Sequence, residues 1–254
     1  MASSERFGYA WDKYWRMSAD YEGQFRNWVQ PLSESDFKGK RILDVGCGMG
    51  RNSYWPLVWG ARDATAFDLD PRTVARAAEI LKPFPNAVVV QKSIYDMDWE
   101  DQFDLAMSIG VIHHLEDPKK ALRYMVRSLK PGGTILIWVY SREGNEWIVR
   151  YVDPVRKHIT SRLPVSLVHF VSYVCSIPLW LFVKVFRGPT QYLRQLSSFD
   201  LWHIHSIVFD QLIPKVANYW SKEQVLELFK SLGLKKYDIY RPPNDMGWTV
   251  IGLK

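Results

Sequence analysis

The run Ile42-Leu43-Asp44-Val45-Gly46-Cys47-Gly48-Met49-Gly50 is the part of the sequence best equipped for chemistry. Glycines at alternate positions let a backbone turn sharply and approach a ligand closely. A dinucleotide turn needs G-x-G-x-x-G, and its third glycine would fall at 51, where this chain has Arg51. Asp44, at the end of the apolar run, would repel a pyrophosphate, so the turn suits a ligand with a cationic amine. Asp68 stands 20 residues beyond Gly48, where an acid can accept hydrogen bonds from ribose hydroxyls, with Leu69 beside it. Asp70 reads as a helix cap before Pro71. Ser93 and Ile94 fall where an adenine edge and face would be read, and Ser108-Ile109-Gly110 enters the same crevice.

These residues need elements that deliver them to one edge. Strands are expected over 41–45, 64–67, 87–91, 103–108 and 134–140, with helices over 71–81 and 118–129 between them. Strands alternating with helices imply parallel pairing in a doubly wound α/β sheet covered on both faces. Ser221 caps a helix running to about Leu232, with Gln224 in its first turn, and Gly233 stops it. Strands over 235–241 and 248–253 follow. The turn Pro242-Pro243-Asn244-Asp245 is too short for a crossover, so this last pair is antiparallel. The chain therefore divides into an aromatic cover segment (1–37), the ligand-binding core (38–140), a helical apolar lid insertion (141–220) and a C-terminal helix with a strand pair (221–254).

The insertion holds 19 residues without a charge, Val165 to Val183, flanked by Arg156, Lys157 and Arg162 before and by Lys184 and Arg187 after. His169 and Pro178 make it a poor transmembrane span. Two readings stand: a lid helix packed on the core, and a helix lying on a membrane surface. At 254 residues, 47% hydrophobic and 24% charged, the chain can bury one substantial core and is not disordered. Two cysteines exclude a disulfide framework, and the six histidines show no metal-ligand spacing, so no metal is expected. The net charge of +6 suits an anionic partner; the cations read as spread along the chain, which disfavours nucleic acid. The N-terminus lacks the apolar core of a signal peptide, giving the expectation of a cytoplasmic protein, peripheral at most on the inner face of a membrane. Nothing in the sequence sets an oligomeric state.

DVGCGMG, the acid in FDLD, the strand FDLAMS with GVIHHL after it, and LKPGG resemble class I S-adenosylmethionine-dependent methyltransferases. The resemblance covers roughly residues 38–140, and 221–254 by pattern. It implies a Rossmann-like, seven-stranded, mostly parallel sheet with the last strand antiparallel, and S-adenosylmethionine as cofactor. It also implies that Gly46, Cys47, Gly48 and Gly50 wrap the methionine part, that Asp44 faces its amino group and that Asp68 holds the ribose. Many relatives carry Asp where Ser93 stands, so adenine contact falls to the Ile94 backbone. GVIHHL and the start FGYAW look like small-molecule enzymes, including quinone methyltransferases and enzymes of bacterial polysaccharide clusters.

Methyl transfer to a hydroxyl needs alignment, desolvation and a base. His113, shortly after the fourth strand, is a candidate base, and His114 beside it reads as structural. His203 and His205 face one side if their segment is extended and diverge by about 200° if it is helical. A His205 base oriented by Asp210 is a second possibility. Tyr14 and Tyr21 are candidates for the methionine carboxylate, and Trp11 and Trp15 share a face at helical spacing. The expected reaction is O-methylation of a small or lipid-linked acceptor. The alternatives are an RNA or protein methyltransferase, disfavoured because no N/D-P-P-Y/F motif follows the fourth strand, and a non-catalytic cofactor-binding scaffold.

Overall fold

The computed structural model describes residues 2–186 and 188–254, so Arg187 of the expected basic flank lies outside the described residues. The chain opens with α1 (Ala2–Lys13), α2 (Asp20–Val29) and a short α3 (Glu34–Phe37). It then alternates β1 (Arg41–Val45), α4 (Arg51–Val58), β2 (Asp63–Asp68), α5 (Pro71–Leu81), β3 (Ala87–Gln91), β4 (Phe103–Ile109), α6 (Pro118–Ser128) and β5 (Leu129–Tyr140). Four helices follow, α7 (Asp153–His158), α8 (Val165–Phe186), α9 (Gln191–Ser198) and α10 (Leu201–Leu212). The segment α11 (Lys222–Phe229), β6 (Lys236–Tyr240) and β7 (Gly247–Leu253) completes the fold.

All seven strands form one sheet in the order β3-β2-β1-β4-β5-β7-β6. The pairs from β3 to β5 are parallel, and β7 runs antiparallel to both neighbours. The sheet is buried on both faces, which is why its central strands read as continuous apolar runs such as Ile135 to Val139. One face packs on α6 and α11 through Leu122, Met125, Val225 and Phe229. The other packs on α2, α4 and α5 through Phe25, Trp55, Ala77 and Leu81. Chain order reverses between β1 and β4, the switch point where such sheets open a crevice at their carboxyl ends.

The lid is a second small core rather than a loop. Ala10, Val168 and Phe209 join α1, α8 and α10, with Tyr14 just beyond α1 in the same cluster, while Val183, Leu196 and Ile204 join α8, α9 and α10. A buried polar chain fastens the same helices: Tyr14 Oη lies 2.9 Å from His169 Nδ1, which lies 3.2 Å from His205 Nε2. His205 Nδ1 in turn meets Ser176 Oγ at 2.7 Å. Helix α1 ends at Lys13, so Trp15 is not on it and the expected Trp11–Trp15 stripe does not form; Trp15 instead stacks under Arg76.

Candidate functional site

The glycine turn leaves β1 at the switch point and is pinned to β2. Gly46 and Cys47 donate their N–H groups to the Phe67 carbonyl at 3.0 and 2.9 Å, and Gly48 N–H donates to Asp68 Oδ2 at 3.1 Å. Gly46 has φ +73°, and a Cβ there would stand 2.8 Å from Val111 in the loop after β4. Gly46→Ala is therefore expected to cost about 1–3 kcal/mol, measured by urea unfolding, because it must both enter a left-handed conformation and push that loop away.

Two carboxylates converge on this turn. Asp44 is fully buried; its Oδ2 accepts from Ser53 Oγ at 2.6 Å, and its Oδ1 has no partner. Burial, with Asp68 nearby and the Ser53 bond opposing, pushes its carboxyl up to about 7. An orphaned buried acceptor beside an open glycine backbone fits a ligand ammonium. Burial also raises the Asp68 carboxyl, against the opposing bonds from the N–H groups of Asp70, Gly48 and Leu69. Leu69 points into solvent, so only its backbone serves Asp68. Ser93 Oγ caps a short helical turn by accepting from Tyr95 N at 3.1 Å, and the Ile94 side chain lies in the core beside Phe67 and Phe103. The Ile94 side chain is therefore not available to a ligand, and only its backbone could serve the adenine contact expected there. Ile109 is buried at the end of β4, and Ser108 Oγ donates to the Val45 carbonyl at 2.9 Å, tying β4 to β1 at the crevice. Burial holds the Cys47 thiol well above its usual range, so it is a wall and not a nucleophile.

Arg51, seen in the sequence only as the residue that breaks a dinucleotide turn, is the main cation here. Its guanidinium sits over the rings of Trp11, Tyr21 and Trp28 at 5.1, 4.7 and 5.3 Å. Trp11 also lies against the position of a Gly48 Cβ, 3.4 Å away, so α1 roofs the turn. Arg51 lines a pocket with Trp11, Tyr14, Gln24, His203 and Asp210. The sequence signal for Arg51 was its place at the first turn of α4, directly after Gly50, in a chain with an aromatic N-terminus. Tyr21 reaches this pocket through Arg51, whereas the Tyr14 hydroxyl is engaged by His169.

Helical geometry settles the 203–210 segment. His203 and His205 diverge on α10: His203 stacks on Phe199 and lies against Tyr21, while His205 stacks on Tyr173 and bonds α8. His205 and Asp210 are not brought together, because five residues on a helix leave them about 140° apart. Asp210 faces the Arg51 pocket, where burial raises its carboxyl to about 7 against the pull of Arg51. Burial lowers His205 to about 4, with His169 and Lys13 adding to it. The structure gives His205 a fastening role between helices.

His113 belongs to a buried aromatic and polar cluster beyond the crevice. It is fully buried, stacks on Tyr140 at 3.9 Å, and neither ring nitrogen has a partner. Burial, then His114 and Arg156, hold it well below the usual histidine range, so the ring is neutral. His114 bonds the Val216 carbonyl at 2.7 Å, as expected of a structural residue. Tyr140 stacks on Tyr219 at 5.2 Å, and Gln211 bridges the two hydroxyls at 3.1 and 2.8 Å. Arg156, from α7, is also fully buried here; one nitrogen pairs with Asp153, while Nε and Nη1 have no partner. Sequence reasoning placed Arg156 only as a flank of the apolar run. Trp138 lies between the two groups of rings, 5.2 Å from Trp28 and 5.6 Å from Tyr140.

Comparison with known proteins bears on the core of this arrangement. Residues 43–137 match the family model described as a methyltransferase domain. A ubiquinone biosynthesis O-methyltransferase of Xanthomonas oryzae is 31% identical over 144 residues, covering 55% of this chain and 58% of that protein. A tRNA U34 carboxymethyltransferase of Hahella chejuensis is 30% identical over 115 residues, covering 44% of this chain and 36% of that protein. The match thus spans less than two thirds of these curated relatives. Among solved structures, an S-adenosylmethionine-dependent methyltransferase from Mesorhizobium loti superposes with a TM-score of 0.55 at 18% identity, covering 93% of this chain and 99% of that one. That likeness supports the fold.

Proposed function

We propose that this chain, whose core is that of the class I S-adenosylmethionine-dependent methyltransferases, moves a methyl group onto an oxygen of a small or lipid-linked acceptor. Asp44 would face the cofactor's ammonium and Arg51 its carboxylate by charge complementarity, and Asp68 would accept hydrogen bonds from its ribose hydroxyls. The cofactor would supply a sulfonium-bound methyl open to attack by an oxygen lone pair, with the carbon–sulfur bond breaking and a neutral thioether leaving. The observation that carries the acceptor reading is a pair of fully buried side chains, His113 and Arg156, each with two nitrogens that have no partner among the described residues. His113 takes the proton of the acceptor hydroxyl as the oxygen–methyl bond forms. Arg156 holds an anionic group of the acceptor, and Tyr140 and Tyr219 supply flat apolar walls. The lid over these residues would exclude water, which strengthens every charge interaction beneath it. The ubiquinone O-methyltransferase relatives support an oxygen acceptor of this general kind.

The test offers carbon-13 methyl-labelled cofactor to the protein together with separate organic-soluble, RNA and protein fractions of a bacterial extract. Label is expected in the organic-soluble fraction, with the chemical shift of a methyl ether or ester. Label in RNA or protein alone would contradict it and favour the nucleic-acid or protein reading.

A further inference from the structure

Helix α8 buries one face and leaves the other bare. Val168, His169, Ser172, Ser176 and Val183 turn inward against α10 and α1. On the opposite side Phe170, Val174, Val185 and Phe186 are 68%, 73%, 70% and 69% exposed, and Leu167, Val171, Ile177, Leu181 and Phe182 join them. These positions recur every three to four residues and draw one apolar stripe about 30 Å long. Only 22% of the most apolar window of α8 is buried by the rest of the chain. Isolated exposed apolar residues are ordinary, but a continuous stripe of this length marks a contact surface.

The charges identify the occupant. From Arg150 to Arg194 the sequence has seven Lys and Arg and one acid, Asp153, whereas the rest of the chain has 26 of each sign. The whole excess of +6 therefore belongs to under a fifth of the chain, the part that carries the stripe. The impression of evenly spread cations from the sequence is corrected on this point. Lys157, Arg162, Lys184 and Arg194 are exposed on either side of α8 along the chain, and Trp147 and Tyr151 are exposed on the approach to it. Apolar residues edged by cations and by Trp and Tyr suit the headgroup region of a bilayer. A second copy of this chain would bring the same positive excess against itself. A span is excluded by the inner face, where His169, Ser172 and Ser176 are buried against protein.

We propose that the outer face of α8 docks on an anionic lipid surface, the helix lying in the plane of the interface. Because α10 packs on α8, lines the Arg51 pocket and bonds Tyr140 through Gln211, docking sets the lid of the methyl-transfer site directly on the membrane. The docking itself needs neither cofactor nor acceptor and stands apart from the reaction assigned above.

The chain carries its own probe. Cys175 is exposed on α8, while Cys47 is buried, so a polarity-sensitive fluorophore attached to the intact protein reports from the stripe. Vesicles of phosphatidylcholine containing phosphatidylglycerol are expected to shift the emission to the blue and to sediment the protein. Pure phosphatidylcholine vesicles and high salt are expected to do neither. Replacing Lys157, Arg162 and Lys184 by Gln should weaken partitioning by roughly fivefold per cation. Phe170→Glu with Val174→Glu should abolish it while the melting temperature and S-adenosylhomocysteine binding stay as in the parent. The proposal is overturned if the parent ignores anionic vesicles, if it binds neutral vesicles equally well, or if the Glu variants still bind. It is also overturned if those variants instead dissociate a dimer.

Discussion

An Arg156→Met variant is expected to bind S-adenosylhomocysteine as the parent does, yet lose about 10²-fold in kcat/KM toward its acceptor. Arg156 is wholly buried, and Met fills a similar volume without leaving an unpaired cation behind. Asp153 keeps a partner, because Lys157 Nζ lies 2.6 Å from its other oxygen, so the variant should fold. The size of the effect follows from the charge-assisted hydrogen bonds that Nε and Nη1 are free to make, about 2–3 kcal/mol. Arg156→Lys keeps the charge but loses the planar fork, and should recover only part of the loss. Both variants are read by steady-state kinetics on the organic-soluble acceptor, with a thermal melt as control. A variant as active as the parent would remove Arg156 from the acceptor site.

The second large effect is on pH. Asp44 is raised to about 7 by burial, opposed by the Ser53 bond and increased by Asp68. A raised carboxyl favours the fold most when protonated, so this contribution is present below the ordinary carboxylate range and lost as pH rises through about 7. A ligand ammonium reverses the preference, because it binds the carboxylate. S-adenosylhomocysteine affinity is therefore expected to fall as pH drops below about 7, approaching roughly tenfold per unit. It should also decline above about 8, where an α-amino group loses its proton. The thermal shift given by a fixed ligand concentration should be larger at neutral pH than in mild acid. Asp44→Asn should bind weakly throughout and lose the acid limb. A parent protein whose affinity is flat across this range would contradict a contact between Asp44 and the amine.

Much of the fold was legible because its elements announce themselves locally. Strands β1 and β3 and helix α5 have the bounds expected from apolar runs and from the Asp70–Pro71 cap. Ser221 and Gln224 form the anticipated capping box. The antiparallel β7 followed from a turn too short to cross the sheet. The glycine turn and its two acids were legible for the same reason, since a strand, a turn and the next strand position them within 25 residues. Arg51 and Arg156 were not, because their surroundings come from far along the chain. Arg51 is caged by rings from α1 and α2, and Arg156, on α7, comes within electrostatic reach of His113 only in the folded chain. The roles of His203 and His205 hinged on the choice between strand and helix, which reverses their relative direction. In α8 the run is uncharged on every side, so periodicity could not tell which face the protein covers.

The central claim is that the crevice at the ends of β1, β2 and β4 holds S-adenosylmethionine, and calorimetric titration tests it most directly. The purified protein is expected to bind S-adenosylhomocysteine at one site with micromolar affinity, and Asp68→Ala to bind it at least ~10-fold more weakly. A folded parent that gives no binding, or an Asp68→Ala protein that binds as tightly as the parent, would contradict the assignment of this crevice.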